Sequence, residues 1–145
     1  MRQADRPSRG HKSVPHTADL RIKAWGPTRE DCIAEAICGV VESFADVSRA
    51  GYPHAIGRHL TAGSDADILA AAVEEVIYTL DAAGEVPAAV EVRRAAGGGI
   101  DLALAAVDAS TVEIIGAAPK AVSLSGLACA PDASGRWSCA VTVDV

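Results

Sequence analysis

A chain of 145 residues with a net charge of -6, half of it apolar and 22% charged, is long enough to bury one core without disulfide or metal staples. The acid excess excludes a broad electrostatic attachment to nucleic acid, which depends on Lys and Arg neutralising phosphates, so an RNA-related role has to run through a protein partner or a local patch. No apolar run reaches the roughly eighteen residues of a membrane span, and the opening MRQADRPSRG has no apolar signal stretch, which predicts a cytoplasmic protein without a membrane partner.

Residues 1–12 are polar and contain Arg2, Arg6, Pro7, Arg9 and Gly10. With nothing to bury, they read as a mobile tail and leave one domain over residues 13–145. Along 14–25, Leu20, Ile22 and Ala24 alternate with Arg21 and Lys23, the period of a half-buried strand. Gly26-Pro27 breaks it, and Thr28 followed by Asp31 resembles a capping box, so a helix is expected to begin there. Ile33, Ile37, Val40, Val41 and Phe44 give that helix one apolar face up to about Ala45.

Residues 47–53 read as a loop and 54–62 as a weak strand anchored by Ile56 and Leu60. Ser64 with Asp67 repeats the capping signal before a second helix, whose apolar positions include Ile68, Leu69, Val73, Val76, Ile77 and Leu80. The remainder is strand-rich. Segments 86–94 and 100–107 flank Gly97-Gly98-Gly99, while 121–130 and 137–143 flank Pro131-Asp132-Ala133-Ser134-Gly135. Strands and helices do not alternate strictly, which predicts a single α+β domain, a largely antiparallel sheet with two amphipathic helices packed on it. Cys32, Cys38, Cys129 and Cys139 form neither a CxxC nor a zinc-spaced cluster, and are expected as buried free thiols.

Two places on this framework concentrate negative charge. Asp19 sits on a mostly apolar strand, where a carboxylate has to be solvated, hydrogen-bonded to backbone or Thr17, or metal-bound. Asp144 and the carboxylate of Val145 are adjacent anions that repel unless a cation lies near them or both face water. If the last strand lies beside the one carrying Asp19, these groups converge and offer the hard oxygen ligands of Ca²⁺, Mg²⁺ or Mn²⁺.

Three segments together resemble the archease family. His16-Thr17-Ala18-Asp19-Leu20-Arg21-Ile22-Lys23-Ala24-Trp25-Gly26 is similar to the family's opening HTAD, alternating strand and glycine. Glu75-Val76-Ile77-Tyr78 resembles its stretch of glutamate, two aliphatics and tyrosine. Lys120-Ala121-Val122-Ser123 resembles its KAVT strand, and Val143-Asp144-Val145 its terminal Asp-Ile. The elements run in family order from about Gly10 onward. Ser125 stands where the family commonly has a histidine, so a role for that histidine does not transfer.

The resemblance implies an accessory protein, not an enzyme, that activates an RtcB-type RNA ligase in tRNA splicing or RNA repair. It would promote guanylylation of the ligase and its multiple turnover, engaging RNA only indirectly. It further implies Asp19, Asp144 and Val145 as metal ligands, for Ca²⁺ foremost, and His16, Lys120 and Glu75 as partner or nucleotide contacts. A solvated Lys120, a backbone-satisfied His16 and a solvent-facing Glu75 are the plain alternatives. Two rival functions are a small metal-dependent enzyme acting on nucleotides or phosphate esters and a chaperone-like module. No local signature such as GxSxG supports a nucleophile.

Overall fold

A computed structural model describes residues 8–15 and 19–145 of the chain. In chain order its elements are β1 (Gly10–Pro15), β2 (Asp19–Gly26), α1 (Arg29–Glu42), β3 (Ala45–Asp46), β4 (His54–Leu60), α2 (Asp65–Ala83), β5 (Glu85–Arg94), β6 (Ile100–Asp108), β7 (Glu113–Ile114), β8 (Ala121–Pro131) and β9 (Trp137–Asp144). The strands form a four-stranded sheet in the order β1-β2-β9-β8, a three-stranded sheet β4-β6-β5 and a short β3-β7 ribbon. All pairings are antiparallel, and two helices pack on the sheets, the expected α+β arrangement.

Both helix starts are set by the expected caps. Thr28 accepts from the Asp31 amide at 3.0 Å and Ser64 from the Asp67 amide at 3.1 Å, each satisfying a donor that the first turn leaves free. α2 ends at Gly84, whose φ of 64° is the left-handed C-cap conformation that glycine adopts without strain. The β8–β9 turn is held by Asp132, whose carboxylate accepts from the Ser134 and Arg136 amides.

One face of the large sheet is apolar. Ile22 and Ala24 of β2, with Val141 and Val143 of β9, join Ile33, Ile37 and Val40 of α1 and Leu69, Val73 and Val76 of α2 in one buried cluster. Burying each such aliphatic side chain contributes roughly 1.5–3 kcal/mol. Gly39 lets α1 approach closely, since a Cβ there would stand 2.9 Å from the Ile22 methyl. Cys32 and Cys139 meet at 2.9 Å within this layer, Cys129 lies opposite Cys139, and all four cysteines are free, three of them buried and Cys38 half-buried.

Two parts of the architecture differ from expectation. The segment expected as a tail to residue 12 is strand from Gly10 onward, paired to β2 from Gly10 opposite Trp25. Its inward contact is polar, His11 against α1 carboxylates, so no apolar alternation marks it. β3 and β7, two residues each, are too short to leave a period.

Candidate functional site

The register of β2 and β9 places Asp19 directly opposite Asp144. Directly opposed residues share a face, with their Cβ atoms roughly 4.5–5.5 Å apart. Since Ile22, Ala24, Val141 and Val143 point into the core, the two aspartates lie on the other, outward face, where Asp19 is half-buried and Asp144 exposed. Neither forms an ion pair among the described residues. Like charges set opposite one another destabilise a sheet, so this pair has a standing electrostatic cost that a cation between them removes.

The donor chemistry fits a hard divalent cation. Carboxylate oxygens are what Ca²⁺, Mg²⁺ and Mn²⁺ take, and the main-chain oxygens of the adjoining Val145 are of the same kind. The Val145 side chain packs against the core, which fixes its main chain beside Asp144. Among the described residues, no group of three His, Cys, Asp or Glu side chains is arranged to hold a metal ion, and side chains supply two donors here.

Lys120 adjoins this pair. Its amide donates to the Asp144 carbonyl at 2.7 Å, extending the β8–β9 ladder by one bond and leaving the ammonium exposed. With Ala121 and Val122 it borders an open depression of about 350 Å³, whose far wall is α2 through Glu74, Tyr78 and Asp81. These three residues, at i, i+4 and i+7, were not among the site residues expected from sequence, although Tyr78 closes the stretch that resembles the family's. The helical spacing was the available signal, and Tyr78, at 58% exposure, is a large apolar surface with no core role.

Glu75 does not join the group. One residue round the helix from Glu74, it pairs with Arg58 of β4 at 3.1 Å. His16 and Thr17 lie outside the described residues. Ser125, standing at the family's histidine position, lies where the β8–β9 register shifts between Ser123 and Ala128, and its amide donates to Ser123 Oγ at 3.2 Å.

Two further polar clusters are structural. His11 bridges Glu35 and Glu42 of α1, each at 2.8 Å. Burial lowers the pKa of the ring, but these two carboxylates outweigh it and hold the pKa above the usual imidazole value. Buried Arg29 donates to Asp65 at 2.8 Å and to the carbonyls of Gly98 and Gly99 at 2.8 and 3.1 Å, tying both helix starts to the β5–β6 turn.

The fold and the opposed carboxylates thus define a small α+β domain with one acidic outward edge. Residues 11–145 match the Archease protein family (MTH1598/TM1083), and the chain belongs to that family. The probable protein archease of Mycobacterium tuberculosis, in strains CDC 1551 / Oshkosh and ATCC 25618 / H37Rv, is 52% identical over 145 residues, covering 99% of this chain and 80% of the relative. The solution structure of Methanobacterium thermoautotrophicum protein 1598 superposes with a TM-score of 0.64 at 17% identity, over 94% of this chain and 99% of that one, a likeness of fold. Among the described residues no helix is long and apolar enough to cross a membrane.

Proposed function

We propose that this member of the family is an accessory protein that activates an RtcB-type RNA ligase, promoting guanylylation of the ligase and its multiple turnover in tRNA splicing or RNA repair. Family membership supports the partner. The observation that carries the site is the opposition of Asp19 and Asp144 at one end of the two inner strands of the sheet, on its outward face, with no cationic side chain paired to either among the described residues.

Asp19 and Asp144 would hold a divalent cation, Ca²⁺ foremost and otherwise Mg²⁺ or Mn²⁺, with a main-chain oxygen of Val145 as a further donor. When bound, such an ion supplies charge neutralisation and orientation for phosphate oxygens. The chain's own residues do the rest. Lys120, whose main chain is bonded to that of Asp144 and which borders the depression on the α2 side of the sheet, offers a point charge to a triphosphate reaching round the strand ends, and Tyr78 with Glu74 and Asp81 offers a flank for the ligase surface.

The test is transfer of labelled GMP from GTP to the host's RtcB-type ligase with a substoichiometric amount of this protein. Labelling of many ligase molecules per molecule of this protein is expected, and Asp19→Ala and Asp144→Ala are expected to fold yet fail to stimulate. Full stimulation by both variants removes the carboxylate pair from the mechanism. Metal-dependent hydrolysis of nucleotides by the isolated protein, lost in the same variants, replaces this reading with that of a small enzyme.

A further inference from the structure

The outward face of the large sheet carries a second like-charge pair. Lys12 of β1 stands directly opposite Lys23 of β2, both exposed, and Arg21 lies two residues along β2 on the same face. Two lysines opposed across strands cost stability, as opposed carboxylates do, and nothing in the fold requires them. Arg21 donates to neutral acceptors, Thr142 Oγ1 at 3.0 Å and the Gly126 carbonyl at 2.9 Å. Among the described residues no carboxylate pairs with Lys12, Arg21 or Lys23, while Arg136, bordering the same surface, has only a 3.7 Å contact with Asp132. Among the described residues, Asp19 and Asp144 lie on this face one step beyond Arg21, so acids occupy one end and bases the middle of a single surface.

Beyond the bases lies Trp25. Its indole lies across Gly10, where a Cβ would come within 2.6 Å of the ring, so the glycine keeps the indole on the sheet beside Lys12 and Lys23. Both helices pack on the opposite face, and the bases and Trp25 border an open depression of about 440 Å³.

We propose that this face binds single-stranded nucleic acid directly, through Lys12, Arg21 and Lys23 on successive phosphates and through Trp25 stacked on a base. Same-face side chains on one strand are about 7 Å apart, a spacing that suits phosphates of an extended strand. A cationic groove bearing an aromatic ring is the general chemistry of single-strand binding, in which every base brings a face to stack, whereas the carboxylates of an acidic peptide bring none. The assignment is independent of the ligase reading, because the isolated protein is sufficient to test it. It narrows the expectation of purely indirect RNA engagement to one local exception on an acidic chain.

The experiment is fluorescence anisotropy of a short labelled single-stranded RNA with the isolated full chain, at low and at physiological salt. Binding is expected to weaken with salt along a slope corresponding to about two or three phosphates. Lys12→Glu is expected to weaken binding roughly tenfold while raising the melting temperature, because it turns a repulsive cross-strand pair into an attractive one. In a Trp137→Phe background the remaining tryptophan emission is expected to be quenched on binding. No binding at low salt, or equal affinity in the Lys12→Glu protein, overturns the proposal. Displacement of the RNA by polyglutamate as effectively as by unlabelled RNA also overturns it, in favour of an acidic protein partner. Binding that persists in Asp19→Ala without ligase stimulation separates this face from the proposed metal pair.

Discussion

Asp19 and Asp144 face each other across the β2–β9 ladder, on the side of the sheet opposite α1 and α2. The arrangement works against the fold, since opposed like charges cost on the order of 0.2–1 kcal/mol. Asp144→Asn is therefore expected to melt at or slightly above the wild-type temperature in chelator. Ca²⁺ is expected to raise the wild-type midpoint by mass action and to leave the variant's nearly unmoved. Calorimetric scans with and without Ca²⁺ read both effects. A variant that is destabilised in chelator yet responds to Ca²⁺ like the wild type would show that the pair is not the cation's site.

Val145 carries a separable part of the same idea. Its side chain packs on the core and so holds its main-chain oxygens beside Asp144. If a terminal carboxylate is among the donors, extending the chain past Val145 reduces Ca²⁺ affinity, while an equal extension before Met1 does not. Isothermal titration of the two proteins decides this, and equal affinity leaves the side chains as the donors.

The parts of this fold that were legible in the sequence are those where one residue type has one physical use. Thr28 and Ser64 cap as expected, because a hydroxyl three residues before an amide has that geometry available locally. The alternation of Leu20, Ile22 and Ala24 with Arg21 and Lys23 marked β2 as half-buried, and the structure puts Asp19 on the face of Arg21 and Lys23. β1 was hidden because its inward residue is His11, which reads as tail until Glu35 and Glu42 arrive from another element. The distinction between Glu74 and Glu75 was likewise unavailable. Neighbours on a helix differ by about 100° in direction, and only the position of β4 and Arg58 shows which one is already paired.

His11 gives a pH signature of its own. Burial disfavours its charged form, but Glu35 and Glu42 outweigh that, so its folded pKa is raised. Its stabilising contribution is complete below the ordinary imidazole value of about 6.5 and fades as pH rises through the raised value. Glu35 behaves oppositely. Burial raises its pKa, but hydrogen bonds from His11 and Arg9 lower it overall, so its contribution holds above the ordinary carboxylate value and is lost as pH falls through the depressed one. The cluster is thus strongest in mildly acid solution. His11→Gln is expected to flatten the decline in melting temperature from about pH 6 to pH 9, by less than about 1 kcal/mol because Glu42 is exposed. Parallel slopes in the two proteins would remove His11 as the cause.

Arg29 sits at the far end of β2 from Asp19 and separates stability from function. Its guanidinium, 8% exposed, is bonded to Glu30 at 2.7 Å and Asp65 at 2.8 Å, and it also satisfies the Gly98 and Gly99 carbonyls. Arg29→Met keeps much of the volume but leaves those carbonyls and the largely buried Glu30 without their donor, at a cost of about 2–4 kcal/mol. Arg29→Lys restores the charge without the planar fork, so it recovers only part of the loss, a single ammonium being unable to reach both helix starts and the turn together. Because the defect lies at the other edge of the sheet, the Ca²⁺-induced rise in melting temperature is expected to survive in both variants, superimposed on a lower baseline. Denaturant titration supplies the baseline and scans in Ca²⁺ supply the increment. If Arg29→Met melted with the wild type, the guanidinium would be a surface ornament of the turn, and the two helix starts would be held by their caps and apolar faces alone.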